Sequence, residues 1–245
     1  MNILICISQV PDTTTKIQFD ASGKEINKAG VKFVVNPYDE FALSRALEIQ
    51  ESRQGVKITL LSVGGQDVTP TIVNALAVGG EEAVRIDLNP QDGYEVAYQI
   101  AQYAKDKNFD LIMLGKESID NNGSEVPGMV AEMLDMPFVS FATQLDLNGK
   151  TATIRREVDG GTEVLEAELP LVLSAQKGLA EWRIANMRGI MAAKKKPIHI
   201  VAPAGSNAKT SIQTYQLPPQ KAGCQMIQPD DVNQLVDILA QKGVI

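Results

Sequence analysis

Histidine and cysteine are scarce in this chain: 245 residues contain one histidine, His199, and two cysteines, Cys6 and Cys224. A multi-histidine metal site therefore cannot form, and two isolated cysteines cannot make a CxxC zinc or redox motif. A Ser-His-Asp triad would have to use His199, and the two-histidine HxGH signature of adenylyltransferases is excluded. We predict no metal centre, no catalytic residues and reduced thiols.

Basic residues are outnumbered by acidic ones, and long apolar runs are missing. The net charge is −7, with 23 Lys and Arg against 30 Asp and Glu. Nucleic-acid binding requires a basic face, so no nucleic-acid partner is expected. No apolar run approaches the roughly 18–20 residues that span a bilayer, and the first residues read as a strand without a signal-peptide pattern. We expect a cytoplasmic protein without membrane insertion.

The common phosphate-binding glycine motifs are missing as well. No Gly-x-Gly occurs anywhere, which excludes the GxGxxG dinucleotide fingerprint, and there is no GxxxxGK[ST] loop. Residues 62–67 faintly resemble the pyrophosphatase loop of ATP-activating ligases, but with one extra residue and after a later strand. A strand-to-helix turn at Gly64 and Gly65 is the simpler interpretation, so a ligase is disfavoured.

What the chain does contain is an alternation of apolar strands and amphipathic helices up to Pro137. Asn36 and Pro37 are typical of the first positions of a helix. The pattern predicts an α/β fold with a parallel sheet and helices on both faces. The predicted strands cover residues 2–7, 56–63, 82–86 and 110–114, and the predicted helices start at 36, at 67 or 69, at 93 and at 125.

Beyond Pro137 the pattern changes. Segments 139–147, 151–158 and 162–169 are joined by Asn-Gly and Asp-Gly-Gly turns, which predict an antiparallel meander. Strands at 171–175 and 198–202, a small hairpin at 17–27 and a helix at 229–242 are also expected. Residues 9–15 are expected to form a loop, and the chain loses its periodicity after Lys177. We predict a domain over residues 1–190 and a C-terminal arm over 191–245 that packs outside its own domain.

The stretch from Asp110 to Val126 is the strongest candidate for a functional site. It reads as a buried strand that breaks at Gly115 into a polar loop and restarts as a helix. Small and amide residues at a helix N-terminus favour a phosphate group, because the backbone comes close and the helix dipole attracts an anion. An ordinary Asn- and Gly-rich loop is the alternative.

Six segments together resemble the beta subunit of electron transfer flavoproteins, with similarity from end to end. The most specific are Gly-Lys-x-x-Ile-Asp at 115–120 and Met-x-Ala-Lys-Lys-Lys at 191–196. The others lie at residues 6–13, 34–42, 75–83 and 156–161. The resemblance implies an adenine nucleotide alpha-hydrolase-like fold and a heterodimer with a homologous alpha subunit that holds most of an FAD. That flavin would carry electrons from acyl-CoA or other flavin dehydrogenases to a quinone-linked or other acceptor.

The resemblance also implies an AMP with a structural role inside this chain. The family positions that touch the nucleotide include the loop singled out above. They correspond here to Cys6, Asn36, Pro37, Tyr38, Asp39, Val63, Gly115, Lys116, Ile119, Asp120, Asn121, Asn122, Gly123, Ser124, Glu125 and Val126.

A second family feature is the loop that docks partner dehydrogenases, which corresponds to residues 178–191. Its positions here are Glu181, Trp182, Arg183, Met187 and Ile190, with Met187 as the apolar residue inserted into the partner. Methionine suits a promiscuous surface because its side chain adapts its shape. Trp182 stands where proline is common in the family, which affects partner identity more than fold.

Two alternatives remain open at this stage. One branch of the family binds a second FAD in place of AMP and bifurcates electrons. The segment 11–13 is frequent in that branch, whereas the turn at 157–161 is more like the ordinary branch, so AMP is favoured. The other alternative is a stand-alone nucleotide sensor of the universal-stress type, which shares the fold but has no need of a long tail.

Overall fold

The computed structural model describes residues 1–205, 208–221 and 223–245. Its helices are α1 (Pro37–Ser52), α2 (Thr69–Val78), α3 (Gly93–Ala104), α4 (Val126–Leu134), α5 (Met187–Ala193) and α6 (Val232–Gln241). Its strands are β1 (Asn2–Cys6), β2 (Gln9–Pro11), β3 (Phe33–Val35), β4 (Lys57–Val63), β5 (Glu82–Ile86), β6 (Leu111–Gly115), β7 (Phe138–Asn148), β8 (Thr151–Val158), β9 (Gly161–Glu168), β10 (Leu171–Ala175) and β11 (Ile198–Val201).

A nine-stranded sheet forms the centre of the fold, in the order β11-β5-β4-β1-β6-β10-β7-β8-β9. The pairings from β11 through β7 are all parallel, and β7, β8 and β9 form the antiparallel meander. The predicted α/β class, with a mostly parallel sheet and an added meander, is confirmed.

Two apolar clusters cover the two faces of this sheet. Alternate residues of β1 divide between them: Ile3 and Ile5 pack with α1 and α2, whereas Leu4 and Cys6 pack with α3 and α4. A strand covered on both faces needs apolar residues at consecutive positions. This explains why β1, β4 and β6 read as continuous aliphatic runs in the sequence.

Three local features differ from the sequence predictions. The hairpin expected at 17–27 is reduced to one bridge between Phe19 and Ile26. The Asp20 carboxylate accepts hydrogen bonds from Ser22, Lys24 and Glu25, and these local bonds replace a strand ladder. The loop expected at residues 9–15 instead begins with β2, which pairs with β3. The segment after Lys177, expected to lack periodicity, contains α5.

The domain boundary predicted at residue 190 falls inside α5. Strand β11 pairs with β5 and is therefore part of the central sheet. The segment that leaves the sheet begins after Val201.

From β11 the chain runs along α3 toward the N-terminus of that helix. Gln99 in α3 accepts a hydrogen bond from the Ala204 N–H at 2.9 Å and donates one to the Gly205 carbonyl at 2.6 Å. Residues 208–215, called the crossing segment below, then pass from Asp92 to Gly23. The last helix, α6, has no buried residue, and its apolar side chains Val232, Leu235 and Val236 are exposed. Within the described residues, no helix is both long enough and apolar enough to span a bilayer.

Candidate functional site

The candidate site lies where the direction of the sheet connections reverses. From β1 the chain moves through α1 to β4 on one side, whereas β5 leads through α3 to β6 on the other. The carboxyl ends of β1 and β6 are neighbours, and the connections diverge there to leave a crevice. The polar loop from Gly115 to Val126 starts at this point, as expected for a ligand site in an open α/β sheet.

Asp39, near the start of α1, joins the ends of β1 and β6. Its two carboxylate oxygens accept backbone N–H bonds from Ser8 at 2.7 Å and from Gly115 at 2.8 Å. Because the side chain is almost fully buried, these two bonds have no water to replace them. Asp39 therefore fixes the geometry of both strand ends relative to α1.

Asn36 adds a second connection, to the loop after β6. It occupies the N-cap position of α1, but its side chain does not cap that helix. Instead its amide nitrogen donates to the Glu117 carbonyl at 2.9 Å, and its amide oxygen accepts from the Ile119 N–H at 3.3 Å. The buried amide thus orders the first half of the candidate loop.

Burial sets the protonation behaviour of this cluster. Desolvation raises the pKa of Asp39 to about 6, although the N–H donors of Ser8 and Gly115 act in the opposite direction. Burial also raises the pKa of the Cys6 thiol well above its ordinary value, and the nearby Asp39 carboxylate adds to the effect. The Cys6 thiol therefore stays neutral and acts as an apolar core group, not as a nucleophile.

Gly115 is the position where α1 and β6 approach most tightly. A Cβ atom added there would lie 2.5 Å from an Asp39 carboxylate oxygen, 2.6 Å from Cβ of Tyr38 and 2.9 Å from the Asn36 amide nitrogen. These distances leave no room for any side chain. The glycine that ends the apolar strand in the sequence is thus required by the packing of α1 against it.

Lys116 provides a cation beside the crevice, but it is already engaged. Its Nζ lies 3.0 Å from a Glu117 carboxylate oxygen, 4.9 Å from the centre of the Tyr38 ring and 5.8 Å from that of Phe141. Burial lowers its pKa, but Glu117 and Tyr38 outweigh this and the net shift of the pKa is upward. Lys116 is held as a charged group between an acid and two aromatic rings.

The second half of the loop has an uncommon backbone conformation and leads into α4. Asn122 and Ser124 both have positive φ, at 53° and 54°, a conformation uncommon for residues other than glycine. Helix α4 starts after this turn, and the side chain of its N-cap residue Glu125 makes no bond to the first N–H groups of the helix. Those donors and the helix dipole favour an anion or a hydroxyl-rich ligand. The neighbouring charges of Glu117, Asp120 and Glu125 oppose an anion, so the attraction must come from the backbone.

The structure brings most of the predicted nucleotide residues to one edge of the sheet. Pro37 is the first residue of α1, Val63 ends β4 beside β1, and Cys6 ends β1. The loop positions are partly buried up to Ile119 and exposed from Asp120 to Glu125. Sequence reasoning missed two members of the cluster, Ser8 and Phe141. Ser8 directly follows an apolar strand, a signal that could have identified it.

The predicted docking residues lie on a separate surface, formed by residues 178–191 and the start of α5. Asn186 caps α5 by accepting the Gly189 N–H at 2.8 Å, and Gly189 packs directly on the Ala77 carbonyl of α2. Met187 is 74% exposed and Trp182 is 55% exposed. Several further apolar side chains are exposed in the same segment: Ile184, Ile190 and Met191. Exposed apolar side chains concentrated in one segment are typical of an interaction site.

Arg183 connects this segment to α1. Its guanidinium makes a two-pronged ion pair with Glu51, at 2.6 and 2.8 Å, and its backbone N–H donates to the Ser44 hydroxyl at 3.3 Å. Trp182 lies near Glu40. Burial raises the pKa of Glu40 to about 7, with a hydrogen bond from Trp182 acting against the shift and the charge of Asp39 adding to it.

A doubly wound parallel sheet with a polar loop at its switch point defines an open α/β protein with a candidate ligand site at that edge. The model of the electron transfer flavoprotein domain family matches residues 24–206, well over half of the chain. The chain therefore belongs to the electron transfer flavoprotein family.

Curated relatives place it more closely, among proteins named electron transfer flavoprotein subunit beta. That of Syntrophomonas wolfei is 37% identical over 91% of this chain and 88% of its own length. The Bacillus subtilis protein is 34% identical, covering 98% of this chain and 96% of its own, and the human protein is 31% identical with 95% of each covered. The resemblance seen in the sequence motifs is confirmed.

Proposed function

We propose that this chain is the nucleotide-holding and docking half of a two-subunit electron carrier. It pairs with a homologous alpha subunit that holds most of an FAD, and the complex moves electrons from acyl-CoA or other flavin dehydrogenases to a quinone-linked or other acceptor. The flavin supplies the redox chemistry, whereas this chain binds, positions and docks. The observation that supports this role best is the ordered loop from Gly115 to Val126 at the switch point of the sheet.

The ligand we propose for that loop is AMP. The start of α4 offers the N–H groups of Val126 and Gly128 for its phosphate, since Pro127 has none. The exposed amides of Asn121 and Asn122 suit its hydroxyl and ring groups. Asn36 and Asp39 hold the loop through the strand ends and do not need to contact the ligand themselves. A nucleotide that is buried between these elements stabilises the fold by binding the native state alone.

The nucleotide content of the complex is the direct test. The chain would be co-expressed with its alpha subunit, the bound nucleotides released by heat, and their identity established by chromatography and mass. We expect one FAD and one AMP per heterodimer. Two FAD without AMP would instead favour the bifurcating branch, and ATP bound to a homodimer of this chain alone would favour a stress-type sensor.

A variant of the loop locates the ligand. Asp120→Ala is expected to lower the AMP content of the purified complex, because the exposed Asp120 sits in the turn that shapes the start of α4. The control is Asp106→Ala, an equally exposed acid at the far end of α3. Equal AMP content in both variants and in the parent protein would contradict the site assignment.

Docking is tested at Met187, whose side chain is available for insertion into an apolar pocket of a dehydrogenase. We expect Met187→Ala to weaken the complex with the partner about tenfold, since truncation of a central apolar contact commonly costs that much. Electron transfer rates at subsaturating partner concentration report the change, and FAD content should be unaffected. Val164→Ala, on the exposed face of β9, is the matched control. Similar rates for the parent and Met187→Ala would remove Met187 from the interface.

A further inference from the structure

The crossing segment, residues 208–215, is fastened at one end to the start of α3. There the two carboxylate oxygens of Asp92 accept hydrogen bonds from two different parts of the chain. Oδ1 caps α3 by accepting the Glu95 N–H at 2.8 Å. Oδ2 accepts three bonds from the crossing segment: the N–H of Lys209 at 2.6 Å, the N–H of Thr210 at 2.7 Å and the Thr210 hydroxyl at 3.2 Å.

The other end of the segment is fastened to the loop that follows β1 and β2. The Tyr215 ring stacks on Phe19 with centroids 5.0 Å apart and planes within 7°. The Tyr215 N–H donates to the Gly23 carbonyl at 2.6 Å. The loop is in turn tied to the β4–α2 turn, because the Lys28 ammonium pairs with the Asp67 carboxylate at 2.7 Å.

Both fastening points border the candidate nucleotide site. Gly93, the residue after Asp92, packs directly against the Glu125 side chain at the start of α4. Asp67 follows the carboxyl end of β4, which neighbours β1. The crossing segment therefore runs between two attachment points, one beside the start of α4 and one beside the carboxyl end of β4, and these points flank the crevice.

We propose that residues 208–215 act as a strap that closes the nucleotide site and slows release of the ligand. The inference rests on the proposed AMP site and adds a retaining element to it. The strap is suited to open and reclose, because Lys209 and Thr210 are exposed and Tyr215 is half-buried, so its contacts bury little apolar surface. Opening the strap breaks the stack of Tyr215 on Phe19 and a few hydrogen bonds, and it leaves the core intact.

Two variants release the two ends of the strap separately. Asp92→Asn keeps an oxygen for the α3 cap but puts an NH₂ group where Oδ2 accepts the strap donors. Tyr215→Leu removes the stack on Phe19 and keeps an apolar side chain. The control is Tyr103→Leu, which disrupts another aromatic pair, Tyr103 with Phe109 at 6.4 Å, at the opposite end of α3.

The measurement is the rate at which isotope-labelled AMP exchanges out of the purified heterodimer. We expect each strap variant to exchange about three- to tenfold faster than the parent, as loss of one stack or a charge-assisted bond set implies. The Tyr103→Leu complex should exchange at the parental rate. Assembly of each complex is checked by size-exclusion chromatography, and if Asp92→Asn fails to assemble, Tyr215→Leu decides.

The possible outcomes distinguish failure of the strap proposal from failure of the proposed AMP site. A parent complex that holds AMP, with strap variants that exchange at the parental rate, would overturn the strap. An equal increase in the AMP exchange rate of all three variants would also overturn the strap, because the substitutions would then destabilise the fold in general. A parent complex without AMP would overturn the proposed function instead.

Discussion

Replacing Gly115 with alanine is expected to lower the free energy of unfolding by about 3 kcal/mol, in the upper range for overpacking a tight site. The added methyl group would meet Asp39, Tyr38 and Asn36 at 2.5 to 2.9 Å. All three belong to the start of α1, so the helix must move away from β6 and release the bond from the Gly115 N–H to Asp39. Urea unfolding of the purified protein measures the change, and the AMP content of the complex should fall with it.

The control for this substitution is Gly128→Ala, in the first turn of α4. A Cβ atom there would meet nothing closer than Phe138, at an ordinary 3.5 Å. Because alanine favours a helix more than glycine does, this variant should match the parent or gain up to about 1 kcal/mol. If Gly115→Ala behaves like Gly128→Ala, then the close approach of α1 to β6 does not constrain the site.

Asp39→Asn should change both the level and the pH dependence of stability. The amide presents an NH₂ group to one of the two N–H donors that now bond to the carboxylate, at Ser8 and Gly115. A buried donor left without an acceptor costs about 1–3 kcal/mol. We therefore expect the variant to be less stable than the parent at acid pH, where the neutral carboxyl can still accept through both of its oxygens.

The pH dependence follows from the pKa of Asp39, which burial raises to about 6, compared with about 4 in an unfolded chain. Between these values the folded state binds more protons than the unfolded state, so stability falls as the pH rises through that window. The parent should lose up to about 3 kcal/mol between pH 4 and pH 7 from this group, a loss absent from Asp39→Asn. The stability gap between parent and variant therefore narrows toward neutral pH.

Glu40 must be separated from Asp39 in this experiment, since burial raises its pKa to about 7 and Asp39 contributes. Glu40→Gln removes the titration of Glu40, with its pKa of about 7, and keeps that of Asp39, with its pKa of about 6. Unfolding curves collected from pH 4 to pH 7.5 for the parent and both variants resolve the two groups. A constant gap between the parent and Asp39→Asn across that range would show that Asp39 does not titrate there.

The strands and helices of the parallel sheet were predictable because burial on both faces leaves a strong local signal. The aliphatic runs of β1, β4 and β6 and the turn signals of the meander fixed their extents to within one or two residues. The candidate loop was also identifiable, since Gly115 and the amide residues after it interrupt an apolar strand. Local patterns of this kind depend on neighbours in the sequence.

What the sequence could not reveal are the contacts made across long separations. Asn36 reaches the Glu117 carbonyl 81 residues later, and Arg183 reaches back 132 residues to Glu51. Nothing near Asn36 distinguishes a bridging amide from an ordinary helix cap, which is the role its position indicates. Helix α5 was missed for a related reason: it is seven residues long, and its stability comes from packing on α2.

The placement of β1 at the middle of the sheet has a consequence for biosynthesis. This strand leaves the ribosome before both of its neighbours, which are β4, beginning at Lys57, and β6, beginning at Leu111. At about 5–20 residues per second, the nascent chain carries an unpaired aliphatic strand for several seconds before β6 emerges. Residues 2–7 are therefore a natural target for a holding chaperone, and crowding or slow translation should reduce the yield of this subunit through aggregation of incomplete chains.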